Sequence, residues 1–97
     1  MILEIAQLQI RAGECAAFET AFVKAAPIIA SMKGYVEHEL QHCLEHDHRY
    51  VLLVRWQRLE DHTVGFRQSP QYQQWRALLH HFYDPFPTVE HFVSVAH

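Results

Sequence analysis

Hydrophobic side chains alternate along four short segments of this chain and recur every three or four residues between them. Alternation is typical of β-strands, and it predicts strands over residues 2–10, 35–45, 50–57 and 88–96. The helical spacing predicts a first helix between Gly13 and Gly34, with a kink or restart at Pro27. Two further helical segments are expected before the last strand, and Pro70 begins the second of them.

The resulting order, β-α-β-β-α-α-β, predicts an α+β fold of the ferredoxin-like type. In this two-layer sandwich a four-stranded antiparallel sheet carries the helices on one face. We expect one domain over residues 1–97, since domains are commonly about 100–150 residues long. The uncovered face would expose too much apolar surface, from Leu3, Ile5, Tyr50, Leu53 and Phe92. A second copy stacked sheet against sheet would cover it, so we expect a homodimer that forms a dimeric α/β barrel.

Composition excludes two classes of partner. The net charge is -3 and Lys and Arg together number eight, without any basic run, so a nucleic-acid partner is not expected. No apolar stretch approaches the roughly 20 residues that span a bilayer, so a membrane partner is not expected either. Two cysteines, Cys15 and Cys43, without a CxxC pattern or a signal peptide predict a cytoplasmic protein.

Several segments spread along the chain carry a family resemblance, and the strand that ends in Trp56 is the most specific of them. The segments are FETAF at 18–22, APII at 26–29, GYVEHEL at 34–40, YVLLVRW at 50–56, HTVGFRQS at 62–69 and PTVEH at 87–91. Together with the order of elements, they resemble the antibiotic biosynthesis monooxygenase family.

That resemblance implies a homodimer whose subunits each hold a pocket between sheet and helices. It also implies a cofactor-independent monooxygenase that oxidises a small aromatic substrate, such as a quinol or an anthrone, with dioxygen. Other members bind or degrade haem, and many have no assigned reaction, so the pocket residues must decide. A non-enzymatic barrel that binds a small ligand or serves in stress response is the main alternative.

The pocket should lie against the strand side that meets the helices. Its candidate residues come from the sheet and from the two later helical segments: His38, Trp56, His91, His62, Phe66, Tyr72 and Trp75. Cofactor-free oxidation needs a base that deprotonates the substrate, and neutral imidazole suits that role. We therefore predict His38 and His62 as catalytic candidates and Trp56, Phe66, Tyr72, Trp75 and His91 as substrate-binding residues.

Structural roles for these residues stay open. The aromatic residues of the last helix, at helical spacing, are more typical of an ordinary core than of a ligand site. His38 could be a structural histidine on an apolar strand face, and His91 could lie at a dimer interface.

Neither a metal nor a haem cofactor is expected. Residues 37–48 are rich in possible metal ligands, but alternation places His42 and Cys43 on opposite faces of a strand, and no zinc spacing is present. Haem-degrading relatives use a first-strand asparagine and a histidine on the helix that follows their tryptophan. This chain has glutamines on the first strand and Phe66 near the position of that histidine, with His62 one turn earlier.

Overall fold

The computed structural model describes all 97 residues. Its strands and helices follow the predicted order: β1 Ile2–Gln9, α1 Cys15–Ala30, β2 Tyr35–His42, β3 Arg49–Trp56, a π-helix Asp61–Phe66, α2 Pro70–Leu79, a 3-10 turn His80–Phe82 and β4 Val89–Phe92.

The four strands form one antiparallel sheet in the order β2-β3-β1-β4. β1 is an interior strand that pairs with β3 along its whole length and with β4 over residues 3–6. Its side chains therefore lie near the middle of the molecule, whereas β2 and β4 are edge strands. This strand order and the packing of the helices against one face confirm the predicted ferredoxin-like α+β fold.

The core lies between the sheet and the helices. Phe18 of α1 is fully buried and makes edge contacts with Tyr50 and Phe82. Tyr50 is buried on the helix side, so its predicted place on the uncovered face is wrong. The alternation along β3 explains this result, because Tyr50 has the same parity as Leu52 and Trp56.

Two strands end earlier than alternation alone predicts, and α1 passes through Pro27 without the restart that was expected there. β2 ends at His42 because residues 43–48 form the turn to β3, and β4 ends at Phe92, where its pairing with Leu3 of β1 stops. α1 contains Pro27 and runs to Ala30 without a restart. Proline removes only its own N–H donor, and the Pro27 carbonyl still accepts a hydrogen bond from the Ser31 amide at 3.2 Å.

One glycine is required where α1 leads into β2. Gly34 has a φ of 83°, in the left-handed region that side chains disfavour. A Cβ at this position would also overlap the side chain of Asp61 at the start of the π-helix. Gly34 therefore allows the π-helix to pack closely against the beginning of β2.

The sheet face opposite the helices carries apolar side chains without a covering layer. Leu3, Ile5 and Leu53 are half-buried on this face, and Phe92 is 46% exposed. None of the helices is both long and apolar enough to cross a lipid bilayer.

Candidate functional site

A cavity of about 230 Å³ lies between the sheet and the later helical segments. Ten of its fifteen lining residues are hydrophobic, and the aromatic ones are Phe66, Tyr72, Trp75, Tyr83 and Phe86. Apolar walls with a few polar groups are typical of small-molecule sites.

Local structure at the start of α2 directs two of these aromatic residues. The Ser69 side chain caps the helix by accepting a hydrogen bond from the Tyr72 amide at 3.1 Å, and Pro70 occupies the first turn. Tyr72 and Trp75 are three residues apart and so share one face of α2. Both rings make edge contacts with Phe66, at centroid distances of 5.2 and 5.7 Å.

The polar centre of the cavity is the carboxylate of Glu4, on β1. Its side chain is buried on the helix-facing side, and Oε1 accepts a hydrogen bond from Trp56 Nε1 at 2.9 Å. Oε2 has no hydrogen-bond partner within the protein, and Glu4 lines the cavity wall. Burial raises the pKa of Glu4 from 4.5 to about 7, although the Trp56 hydrogen bond and the nearby Arg67 oppose the shift.

His62, in the π-helix, lies against this carboxylate. Its Nε2 is 3.4 Å from Glu4 Oε1, and its ring stacks on Trp56 with centroids 5.4 Å apart. The i to i+5 bond of the π-helix, from the Arg67 amide to the His62 carbonyl at 3.1 Å, brings Arg67 to the same cavity. Burial lowers the pKa of His62 to about 3, and the charges of Arg67 and His91 act in the same direction.

The two pKa shifts mean that Glu4 and His62 are not charged at the same time. Attraction between a carboxylate and an imidazolium would lower the pKa of Glu4 and raise that of His62, the reverse of both directions. Burial disfavours both charged forms and outweighs that attraction. His62 is therefore neutral at physiological pH, and Glu4 is the group that titrates there.

His91 completes a line of polar groups through the site. It lies on β4 directly across from Glu4, and its Nε2 is 2.8 Å from His62 Nδ1. Its side chain is half-buried, and burial, with the charge of Arg67, lowers the pKa of His91. Both ring nitrogens of His62 thus have protein partners.

The structure separates His38 from the cavity, which corrects the expectation that one pocket holds both histidine candidates. β2 is an edge strand, two strands away from β1, and α1 covers this part of the sheet. The His38 ring packs between Phe22 and Tyr35, and Nδ1 is hydrogen-bonded to the Tyr35 hydroxyl. Burial lowers the pKa of His38. Its role as a base stays a prediction.

The other candidates lie at or next to the cavity. His62, Phe66, Tyr72 and Trp75 line it. Trp56 is completely buried behind the cavity wall. It donates a hydrogen bond to Glu4, and its ring stacks on His62. His91 does not line the cavity, and its contact with the site is the hydrogen bond to His62.

Sequence reasoning missed Glu4 and Arg67. Glu4 had a readable signal, because it has the same parity on β1 as Ala6 and Leu8, whose side chains face the helices. A lone carboxylate on an apolar strand side is informative, since buried charges are rare. Arg67 had no such signal in the sequence.

The structure also bears on possible metal and haem ligands. No three His, Cys, Asp or Glu side chains are arranged to hold a metal ion. Phe66 is buried against Trp56 and cannot ligate iron, and His62 could bind iron only by giving up a contact to Glu4 or to His91.

Comparisons with known proteins agree on one family. The family model for antibiotic biosynthesis monooxygenases matches residues 1–78. The uncharacterized protein YczJ of Bacillus subtilis (strain 168) is 59% identical over 95 residues, which are 98% of this chain and all of that protein. The crystal structure of the putative antibiotic biosynthesis monooxygenase of Bordetella bronchiseptica is similar with a TM-score of 0.93 and 34% identity, over 98% of this chain and 97% of that one.

A more distant structure with a similar fold is that of an oxygenase. SnoaB of Streptomyces nogalater, a cofactor-independent oxygenase, is similar with a TM-score of 0.70 and 22% identity, over 99% of this chain and 92% of that one. At this identity the likeness shows a shared fold only.

Proposed function

This chain belongs to the antibiotic biosynthesis monooxygenase family, and from that premise we propose that it is a cofactor-independent monooxygenase. Its proposed substrate is a small aromatic molecule of the quinol or anthrone type, held in the cavity between sheet and helices. The reaction class is supported by SnoaB, a cofactor-independent oxygenase with a similar fold.

The reaction needs a base more than it needs a cofactor. Removing a proton from a phenol or an enolisable CH₂ group gives an electron-rich anion that can reduce dioxygen directly. When a ring CH₂ becomes a carbonyl, one oxygen atom enters the product and the other leaves as water with both hydrogens. The substrate then supplies all the electrons that dioxygen takes up, and the protein has to bind, deprotonate and exclude bulk water.

The observation that carries the proposal is the free Oε2 of Glu4 in an apolar wall. With a pKa of about 7, a substantial fraction of Glu4 is ionised at neutral pH, and it is far more basic than an exposed carboxylate. We therefore assign the role of general base to Glu4, which His62 contacts, and not to a histidine that contacts the substrate directly. His38 remains the competing candidate from the sequence.

The walls suit a flat ring. Phe66, Tyr72 and Trp75 present aromatic surfaces at different angles, and the cavity of about 230 Å³ exceeds the roughly 150 Å³ that is sufficient for benzene. A substrate with one or two fused rings would therefore fit in it. We propose that Trp56 acts from behind the wall by holding Glu4 and His62.

Oxygen uptake by the purified protein tests this proposal. We expect consumption of dioxygen above the spontaneous rate with one or more members of a panel of quinols, naphthols and anthrones, without added flavin and with a metal chelator present. One atom from ¹⁸O₂ should appear in the product. Saturable ligand binding without oxygen uptake would instead favour the ligand-binding alternative, and tight stoichiometric hemin binding would favour a haem-binding relative.

A homodimer is the second part of the proposal. Leu3, Ile5, Leu53 and Phe92 form an apolar face that the helices leave uncovered. Sedimentation at micromolar concentration should give about twice the chain mass of 11.4 kDa. Leu53→Glu should shift the protein towards monomer, because it would place a charge on this face. Val23→Glu, on the exposed surface of α1, is the matched control, and a wild-type monomer would contradict the barrel assembly.

The proposed location is the cytoplasm. Cys15 and Cys43 are both free thiols in the structure, which is typical of proteins in reducing compartments.

A further inference from the structure

Glu4, His62 and His91 form a continuous line from the cavity wall to the edge strand β4. Glu4 Oε1 is 3.4 Å from His62 Nε2, and His62 Nδ1 is 2.8 Å from His91 Nε2. The three residues come from β1, the π-helix and β4, and the register of β1 with β4 places Glu4 and His91 directly opposite each other. These three groups are therefore brought together by the tertiary fold, because they are far apart in the sequence.

The tautomer of His62, and with it the direction of its hydrogen bond to His91, follows from the chemistry of the end groups. A carboxylate can only accept, so an ionised Glu4 requires a proton on His62 Nε2. A neutral His62 then has a lone pair on Nδ1, which must accept from His91. In the opposite tautomer the lone pair of His62 Nε2 would face the carboxylate and repel it.

We propose that His91 is a positioning residue, which donates its Nε2 proton to His62 Nδ1 and so holds His62 with its Nε2 proton directed at Glu4. This role rests on the proposed function only in that Glu4 is the base. His91 contacts neither the substrate nor the reacting atoms, and it acts through His62.

The arrangement affects the basicity of Glu4. With His62 held in this tautomer, Oε1 accepts the hydrogen bond from Trp56 and also faces the Nε2 proton of His62 at 3.4 Å, and both favour the ionised form. Loss of the His91 donor would release His62 to its other tautomer and remove one of the two.

The other charged and titratable groups around the site are the same in the wild type and in the His91 variants. Arg67 follows the π-helix, and Tyr72 of α2, His80 of the 3-10 turn and Tyr83 beyond it line the same cavity. All of them stay unchanged when His91 is replaced. A change in the titration of Glu4 on that replacement would therefore report the His62 contact.

Two substitutions separate the hydrogen bond from the imidazole itself. His91→Leu removes the donor, whereas His91→Gln keeps an N–H group that can donate to His62 Nδ1 but cannot titrate. His48→Leu, in the exposed turn between β2 and β3, is the matched control. Circular dichroism would establish that each variant is folded.

The readout is the titration of the Glu4 carboxyl carbon by NMR in ¹³C-glutamate-labelled protein, assigned with Glu4→Gln, together with the ¹⁵N tautomer signals of His62. These measurements need no substrate, so they remain informative if oxygen uptake fails. We expect the wild type to titrate near pH 7 with His62 protonated on Nε2 above that pH. His91→Leu should raise the midpoint by about half a pH unit, because the 3.4 Å contact between His62 and Glu4 is weaker than a full charge-assisted hydrogen bond.

His91→Gln should restore the wild-type midpoint, and His48→Leu should leave it unchanged. An unchanged midpoint in His91→Leu would overturn the proposal, as would a wild-type His62 protonated on Nδ1 above pH 7. A His91→Gln variant that behaves like His91→Leu would also overturn it, because the imidazole and not its donated hydrogen bond would then be required.

Discussion

Replacing Glu4 with glutamine should lower kcat/KM for an oxidised substrate by about 10²–10⁴-fold, the usual contribution of a positioned general base. Glutamine has the same shape, and its carbonyl oxygen can still accept the hydrogen bond from Trp56. It cannot take up a proton from the substrate. Initial rates of oxygen uptake at saturating and limiting substrate concentrations would measure the loss.

The matched control and the competing candidate make this test decisive. Glu45→Gln changes an exposed carboxylate in the turn after β2, and it should retain the wild-type rate. His38→Ala removes the other proposed base. A large loss in His38→Ala, with Glu4→Gln close to wild type, would transfer the role of base to His38 and contradict the assignment made from the cavity.

The same Glu4→Gln substitution should stabilise the protein above neutral pH by about 3 kcal/mol, the free energy that corresponds to the shift in the pKa of Glu4. The raised pKa means that the folded state holds the Glu4 proton more tightly than the unfolded chain does. The contribution of Glu4 to stability is therefore fully present below pH 4.5 and is lost as pH rises to about 7. Glutamine stays neutral throughout and avoids this loss.

Urea unfolding of both proteins at about pH 4 and about pH 8.5, at equal protomer concentration, would measure the difference. The two should be nearly equally stable at the lower pH, with the variant more stable at the higher one. His62 has the opposite sign, because its lowered pKa gives stability above pH 6.5 that is lost as pH falls towards 3. Both proteins contain His62, so the comparison isolates Glu4. A variant that is less stable at both pH values would indicate a structural role for the carboxylate.

Loss of activity together with a gain in stability would distinguish an active-site residue from a structural one. Functional groups are often held in environments that cost stability. Glu4 fits that description because a buried, partly unpartnered carboxylate destabilises the fold at the pH where it would act as a base.

Much of the fold could be predicted from the sequence because the relevant signals are local. Alternation in each strand and the helical spacing between strands are read within windows of about ten residues. The end of β4 depends on a partner strand, because its pairing with β1 stops at Leu3, and no local pattern describes that partner. The place of Tyr50 could be predicted, because the alternation along β3 gives it the same parity as Leu52.

Less of the candidate site could be predicted from the sequence. Phe66, Tyr72 and Trp75 were found because they share helix faces that must meet the sheet. His38 and His62 are equivalent as candidates in the sequence, and only the strand order, with β2 at the edge, separates them. Glu4 could be identified only from its parity with Ala6 and Leu8 on β1, since a single carboxylate forms no motif.

The pH dependence of oxygen uptake tests the central claim, a carboxylate base in an apolar cavity, most directly. After subtraction of spontaneous oxidation, kcat/KM of the wild type should rise with pH, with a midpoint near 7, and reach a plateau, since this profile reports the free enzyme. Glu4→Gln should give a low rate without that rise. A wild-type profile that lacks a midpoint near 7, or one that Glu4→Gln leaves intact, would contradict the account.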